Sequence, residues 1–198
     1  MTAGYTESRI SYMENPEKSE LKEKLFNLLN REALKRGEFT LSSGKTSNYY
    51  LDGRLITLSP EGAYLVAGII LQMLEGNKID AVGGPTLGAD PITGALAAVS
   101  YLKECPIKTF IVRKQAKEHG TKQQVEGPAL KKGDRVVLVD DVATSGKAIL
   151  EAKQALDRLG VIAEKAIVIV DRNQGAAQNL AKAGIELESI FKIADFGL

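Results

Sequence analysis

Two adjacent carboxylates, Asp140 and Asp141, stand between an apolar run, Val136 to Val139, and a stretch of small residues, Val142, Ala143, Thr144, Ser145, Gly146, Lys147 and Ala148. Acids that end so apolar a run are costly to place unless they bind something. The run reads as a strand buried on both faces of a parallel sheet. Open α/β sheets take their ligands at the C-terminal ends of such strands. The small residues lead into an amphipathic helix that runs to about Leu159, and its first turn leaves backbone N–H groups free for an anion. Acids beside an anion cradle suit a sugar phosphate, with carboxylates for ribose hydroxyls and amides for the 5′-phosphate. The plainer alternative is a buried strand followed by a helix that Thr144 or Ser145 merely caps.

Other residues carry further chemistry. Arg113, Lys114, Lys117 and His119 put four potential cations into seven residues of a polar stretch, 113–128, that has no periodicity. Such a run suits a leaving pyrophosphate, or is a solvated charged loop. Gly83-Gly84-Pro85-Thr86 follows a strand, where glycine lets backbone approach a phosphate or simply makes a tight turn. Lys45 stands near Tyr49 and Tyr50, which strand alternation sends to opposite faces, so only one of them can stack on a planar base. The other reading is ordinary strand packing. Arg172 follows a buried strand, and its fork matches a carboxylate, with a surface ion pair as the alternative.

The elements that must position these groups follow from spacing. Leu21, Leu25, Leu28, Leu29 and Ala33 predict a helix that ends at Gly37. Phe39–Leu41 and Asn48–Leu51 read as two short strands around a turn. Ser59 and Pro60 open a helix to about Leu74. Strands are expected at Ile79–Val82, Thr109–Val112, Val136–Val139, Ala166–Val170 and Leu187–Ile193. Helices are expected near Gly88–Tyr101 and Ala176–Ala183. Alternating strands and helices from residue 60 onward predict an α/β fold with a central, mainly parallel sheet flanked by helices.

Composition narrows the class. The chain of 198 residues suits one domain with a full core. Its 26 basic and 25 acidic residues nearly cancel, which disfavours a nucleic-acid partner. The single cysteine, Cys105, forms no internal disulfide, as expected in a reducing cytoplasm. No apolar run reaches the length of a membrane span, so no membrane partner is expected. Residues 1–15 read as a loose tail or as an arm against a partner subunit. A P-loop reading of Gly44-Lys45-Thr46 fails on spacing, because the first glycine of that motif falls on Phe39.

The segment from Arg135 to Ile149 resembles the phosphoribosyl-diphosphate (PRPP) motif of type I phosphoribosyltransferases. Four further segments resemble the orotate phosphoribosyltransferases in the family's order: Phe39 to Asp52, Gly83 to Pro91, Arg113 to Gly120, and Asp171-Arg172. The resemblance covers roughly residues 20–196. It implies a single type I phosphoribosyltransferase domain with a small N-terminal hood (residues 20–58) and a lid loop (113–128). It implies transfer of phosphoribose from PRPP to orotate, with Mg²⁺ as cofactor held mainly through substrate and water. Carried over residue by residue, it gives catalytic roles to Lys117, His119 and Asp141. PRPP contacts fall on Lys45, Arg113, Lys114, Lys117, His119, Asp140, Asp141 and Val142 through Ala148. Orotate contacts fall on Tyr49, Tyr50, Thr144 and Arg172. It also implies a homodimer whose lids complete each other's sites. Some relatives carry an aromatic–lysine pair where this chain has Thr86-Leu87, which leaves more of the positive charge to the lid. Two rivals share parts of the pattern. A PRPP-sensing regulator would carry a DNA-binding module, for which residues 1–20 are too short. A purine-base transferase should lack the tyrosine hairpin and Arg172 together.

Overall fold

The computed structural model describes residues 18–40, 46–114 and 124–198. Six strands form the main sheet in the order β5-β4-β3-β6-β7-β8. They are β3 (Ala81–Pro85), β4 (Lys108–Val112), β5 (Val125–Glu126), β6 (Arg135–Ala143), β7 (Ile162–Asp171) and β8 (Glu186–Lys192). All neighbours pair in parallel except the short edge strand β5, which runs antiparallel to β4. Helices α4 (Ala89–Leu102), α5 (Lys147–Asp157) and α6 (Ala176–Lys182) connect the parallel strands.

Burial on both faces explains the apolar runs. In β6, Val137 and Val139 join one core with helices α1 (Lys18–Leu28), α3 (Pro60–Leu74) and α4. Val136 and Leu138 face the other core, with Ile149, Ala152 and Leu156 of α5 and Leu180 of α6. β7 alternates in the same way, Ile167 and Ile169 against Ala166 and Val168. This is the period of two that a strand imposes, with both faces covered. Burying each such valine, leucine or isoleucine side chain fully contributes about 1.5–3 kcal/mol.

α3 starts where expected. The Ser59 hydroxyl accepts from the Gly62 N–H at 3.1 Å and Pro60 takes the first helical position, a cap typically worth about 1 kcal/mol. The N-terminal helix ends sooner than its apolar spacing predicts. Its last turn, Leu29–Ala33, widens to a π-helical turn, and the chain then enters β1 (Leu34–Thr40). Leu34 is buried, and β1 pairs antiparallel with β2 (Thr46–Leu51), so sheet pairing displaces the helix before Gly37. A short helix, α2 (Arg54–Thr57), follows β2.

Two other expectations change. Gly83, Gly84 and Pro85 lie inside β3 rather than in a turn beyond it. A Cβ on Gly83 would stand 2.3 Å from the Phe110 carbonyl oxygen, and one on Gly84 would stand 2.0 Å from that of Val139. These glycines therefore let neighbouring strands close up. The stretch 113–128 is also not wholly irregular. β5 lies within it, and Arg113 and Gln124 extend the pairing, the Arg113 N–H donating to the Gln124 carbonyl at 2.8 Å. Residues 115–123, with Lys117 and His119, lie outside the described residues, as do Lys45 and the tail 1–15.

Candidate active site

The strand order decides where a ligand can enter. β3 passes through α4 to β4 on one side, whereas β6 continues to β7 and β8 on the other. The crevice between the ends of β3 and β6 is thus the switch point of the sheet, where open α/β folds bind ligands. The loop after β3 and the end of β6 face each other there.

Asp140 and Asp141 lie within β6 by hydrogen bonding to β7, but beyond the last residue that pairs with β3. Each is held by backbone. The Asp141 N–H donates to Asp140 Oδ1 at 3.0 Å, and the Val142 N–H donates to Asp141 Oδ1 at 2.8 Å. Burial pushes the Asp140 carboxyl well up, and the neighbouring Asp141 charge adds to the rise. Burial also raises Asp141, opposed by the bond from Val142. Both acids press on Gly88, where a Cβ would lie 2.0 Å from Asp140 Oδ1 and 2.6 Å from Asp141 Oδ1. A Cβ on Gly53 would meet the Asp141 side chain at 2.8 Å. Two glycines from different elements therefore clasp the acid pair.

A cleft of about 300 Å³ opens beside Asp141, lined among others by Tyr50, Asp52, Arg54, Gly88, Lys114 and Val142. Arg54 grips Asp52 with both ends of its fork, Nε to Oδ1 at 2.9 Å and Nη2 to Oδ2 at 3.0 Å. That guanidinium holds the Asp52 carboxyl below its usual range. Lys114 reaches this cleft, whereas Arg113 stands 3.5 Å from Glu126.

The anion cradle is built at the start of α5. Gly146 takes a left-handed conformation (φ 77°), and no side chain among the described residues caps the helix. The first bond of the helix runs from the Leu150 N–H to the Gly146 carbonyl, so the N–H groups of Lys147, Ala148 and Ile149 precede the intrahelical ladder. Thr144 and Ser145 are exposed, and the Lys147 side chain turns to Glu151 at 3.7 Å. The loop is braced from α6, where Asn179 Nδ2 donates to the Ser145 carbonyl at 3.0 Å.

Arg172 follows β7, its N–H bonded to the Ala143 carbonyl at 2.9 Å. Its Nε donates to the Tyr49 hydroxyl at 2.9 Å, and its guanidinium lies 4.8 Å from the Tyr49 ring centroid. Its Nη2 is buried without a partner among the described residues, an expensive condition unless a ligand supplies an acceptor. The two tyrosines separate as alternation requires. Tyr49 is 6% exposed, whereas Tyr50 is 40% exposed, lines the cleft and packs against Phe39.

Sequence reasoning missed Gly53, Arg54, Gly88 and Asn179. The segment Asp52-Gly-Arg54 carried a signal, a bidentate pair beside a glycine, but the other contacts join distant parts of the chain. It also missed Asp90 on α4, raised by burial, one of whose oxygens is buried without a partner.

A larger groove of about 1230 Å³ lies elsewhere, against Tyr64, Leu71, Ile79, Val99 and Ile107. Ile79 and Ile107 precede β3 and β4, so this groove sits at the opposite end of the strands from the acids. It is mainly apolar and brings no acid pair or helix N-terminus together. Convergent polar groups, not volume, single out the switch-point crevice. Among the described residues no helix is long and apolar enough to cross a membrane, and no cluster of three or more acids, histidines or cysteines could cage a metal.

The chain is similar to known proteins over most of its length. The phosphoribosyl transferase domain model matches residues 56–198. The orotate phosphoribosyltransferase of Nostoc sp. is 43% identical over 177 residues, covering 89% of this chain and 85% of its own length. That of Rhodopirellula baltica is 44% identical over 180 residues, covering 88% and 93%. Among solved structures, the Mycobacterium tuberculosis orotate phosphoribosyltransferase in complex with PRPP is similar with a TM-score of 0.74 and 33% identity, covering 92% of this chain and all of that one. The matched region runs through the acid pair, the helix cradle and Arg172 alike, and the chain belongs to the orotate phosphoribosyltransferase family.

Proposed function

We propose that this chain transfers the 5-phosphoribosyl group of PRPP to N1 of orotate. The products are orotidine 5′-phosphate and pyrophosphate, in de novo pyrimidine (UMP) synthesis. The observation that carries the choice of base is Arg172. Its buried Nη2 has no partner among the described residues and lies at the same end of the sheet as the acid pair and the cradle, and orotate brings the carboxylate that such a donor pairs with.

In this reading the amides at the start of α5 hold the 5′-phosphate, and Asp140 and Asp141 accept the ribose hydroxyls. Transfer breaks the bond from the anomeric carbon to pyrophosphate and forms one to N1. Positive charge develops on the ribose as pyrophosphate leaves, and the carboxylate of Asp141 stabilises it at short range. Orotate is already anionic, so positioning and charge stabilisation do most of the work. Lys114, and from the lid Lys117 and His119, meet the negative charge on the departing group.

Mg²⁺ belongs to the proposal. With two carboxylates and no larger acid cluster among the described residues, the donor set fits an ion held mostly by substrate oxygens and water near Asp140 and Asp141. When bound, it neutralises charge on the pyrophosphate. The proposal further includes a homodimer that shares its sites through the lid, and a cytoplasmic location.

The test is loss of orotate absorbance with PRPP and Mg²⁺, with uracil and hypoxanthine run beside it. Arg172→Ala should raise the orotate KM far more than that of PRPP, since losing a hydrogen bond to a charged group typically costs about 1.5–3 kcal/mol. Uracil used as well as orotate by the unaltered protein refutes the carboxylate argument.

A further inference from the structure

We infer that Tyr49 is a positioning residue of the base subsite, which aims Arg172 at the substrate carboxylate and does not itself touch the base. The inference rests on the proposed reading of Arg172 and goes beyond it in assigning what makes that arginine selective.

Arginine is long and rich in rotamers, so an unanchored one reads a carboxylate poorly. Here three contacts fix it. Its backbone is tied to Ala143 at the end of β6. Its Nε donates to the Tyr49 hydroxyl at 2.9 Å, and its guanidinium plane lies 4.8 Å from the centroid of the Tyr49 ring. With Nε engaged, the edge left to fork with a carboxylate is the one formed by the two terminal nitrogens, and Nη2 on that edge is buried with no partner among the described residues. Tyr49 has no open face for a base, because it is 6% exposed and the guanidinium covers its ring. Its neighbour Tyr50, which lines the cleft, is the tyrosine free to meet the substrate. Tyr49 is 123 residues from Arg172 in sequence, so the hairpin and the sheet end share one rigid subsite.

Tyr49→Phe keeps the ring and removes the acceptor. It should raise the orotate KM roughly tenfold, as expected for one hydrogen bond to a charged group. The PRPP KM should stay unchanged, and so should the inhibition constant of methyl orotate, whose carboxyl charge is masked. In the Arg172→Ala background the same change should add nothing to the orotate KM, since a residue acting through another loses its effect when that one is gone. Equal losses for orotate and methyl orotate, or additive losses in the double variant, overturn the inference. Tyr49 then supports the hairpin or touches the base directly. An unchanged orotate KM in Arg172→Ala alone removes the underlying reading as well, which separates the two failures.

Discussion

Gly88→Ala tests whether the acid pair works through its exact placement. Gly88 has φ −62°, which alanine adopts freely, so the backbone does not resist the change. The new methyl group would lie 2.0 Å from Asp140 Oδ1 and 2.6 Å from Asp141 Oδ1, whereas ordinary contact begins at 3.4 Å. One oxygen must retreat by about 1.4 Å (3.4 less 2.0) and the other by about 0.8 Å (3.4 less 2.6), unless the loop moves instead. Those oxygens accept the N–H groups of Asp141 and Val142, so either movement strains or breaks both bonds. A misplacement near 1 Å typically costs about 10²-fold in rate. The expected result is a kcat for orotate phosphoribosylation lower by about that factor, with a folded chain by circular dichroism. Activity within threefold of the unaltered protein, at roughly saturating PRPP, refutes the claim that Gly88 fixes the carboxylates.

Gly94→Ala is the matched control in α4, since nothing among the described residues lies within 4 Å of the added Cβ. It should leave activity alone and raise the melting temperature, by about 0.5–1 kcal/mol of helix stability; a drop in either breaks the comparison. Asp140→Asn addresses pH. A carboxyl raised by folding holds its proton more tightly in the folded chain, so its ionisation costs stability as pH climbs from the ordinary carboxylate range through the raised value. The Asn variant should therefore melt higher than the unaltered protein near about pH 8, with the gap closing as pH falls toward the ordinary carboxylate range. A gap independent of pH excludes that ionisation as its source. Finally, Lys117→Ala and Asp141→Asn should each be nearly inactive alone. If lids are shared, equal mixing with random exchange gives half heterodimers with one intact site each, and so about a quarter of full activity. A mixture that stays inactive although exchange is demonstrated places the lid over its own chain's site.

The sheet was legible because its signals are local. A strand buried on both faces must be apolar throughout, so β6 and β7 announce themselves in a few residues, and acids ending one of them stand out against it. The Ser59-Pro60 start of α3 and the small residues before α5 are likewise short-range patterns with a direct backbone cause. Boundaries that depend on pairing were less legible. β6 extends through Ala143 because Asp140, Val142 and Ala143 find partners on β7, and nothing in residues 140–143 reveals that neighbour. β5 is two residues long and exists through its ladder with Ile111 and Val112.

By itself the sequence determined the chemistry available: an acid pair, a helix start rich in small residues, an arginine after a buried strand, and two tyrosines on opposite faces of a hairpin strand. Tertiary structure decided which of these groups act together. Strand order made the gap between β3 and β6 the ligand crevice and brought Gly88 and Gly53 against carboxylates far along the chain. It turned Tyr49 inward beneath Arg172 and left Tyr50 at the cleft. It also put Gly83 and Gly84 inside a closely packed strand, where sequence alone suggested a turn beyond one. The physical reason is range. Propensity and periodicity act over one or two turns of chain, whereas a site is made by contacts that exist only after the sheet has ordered segments more than a hundred residues apart.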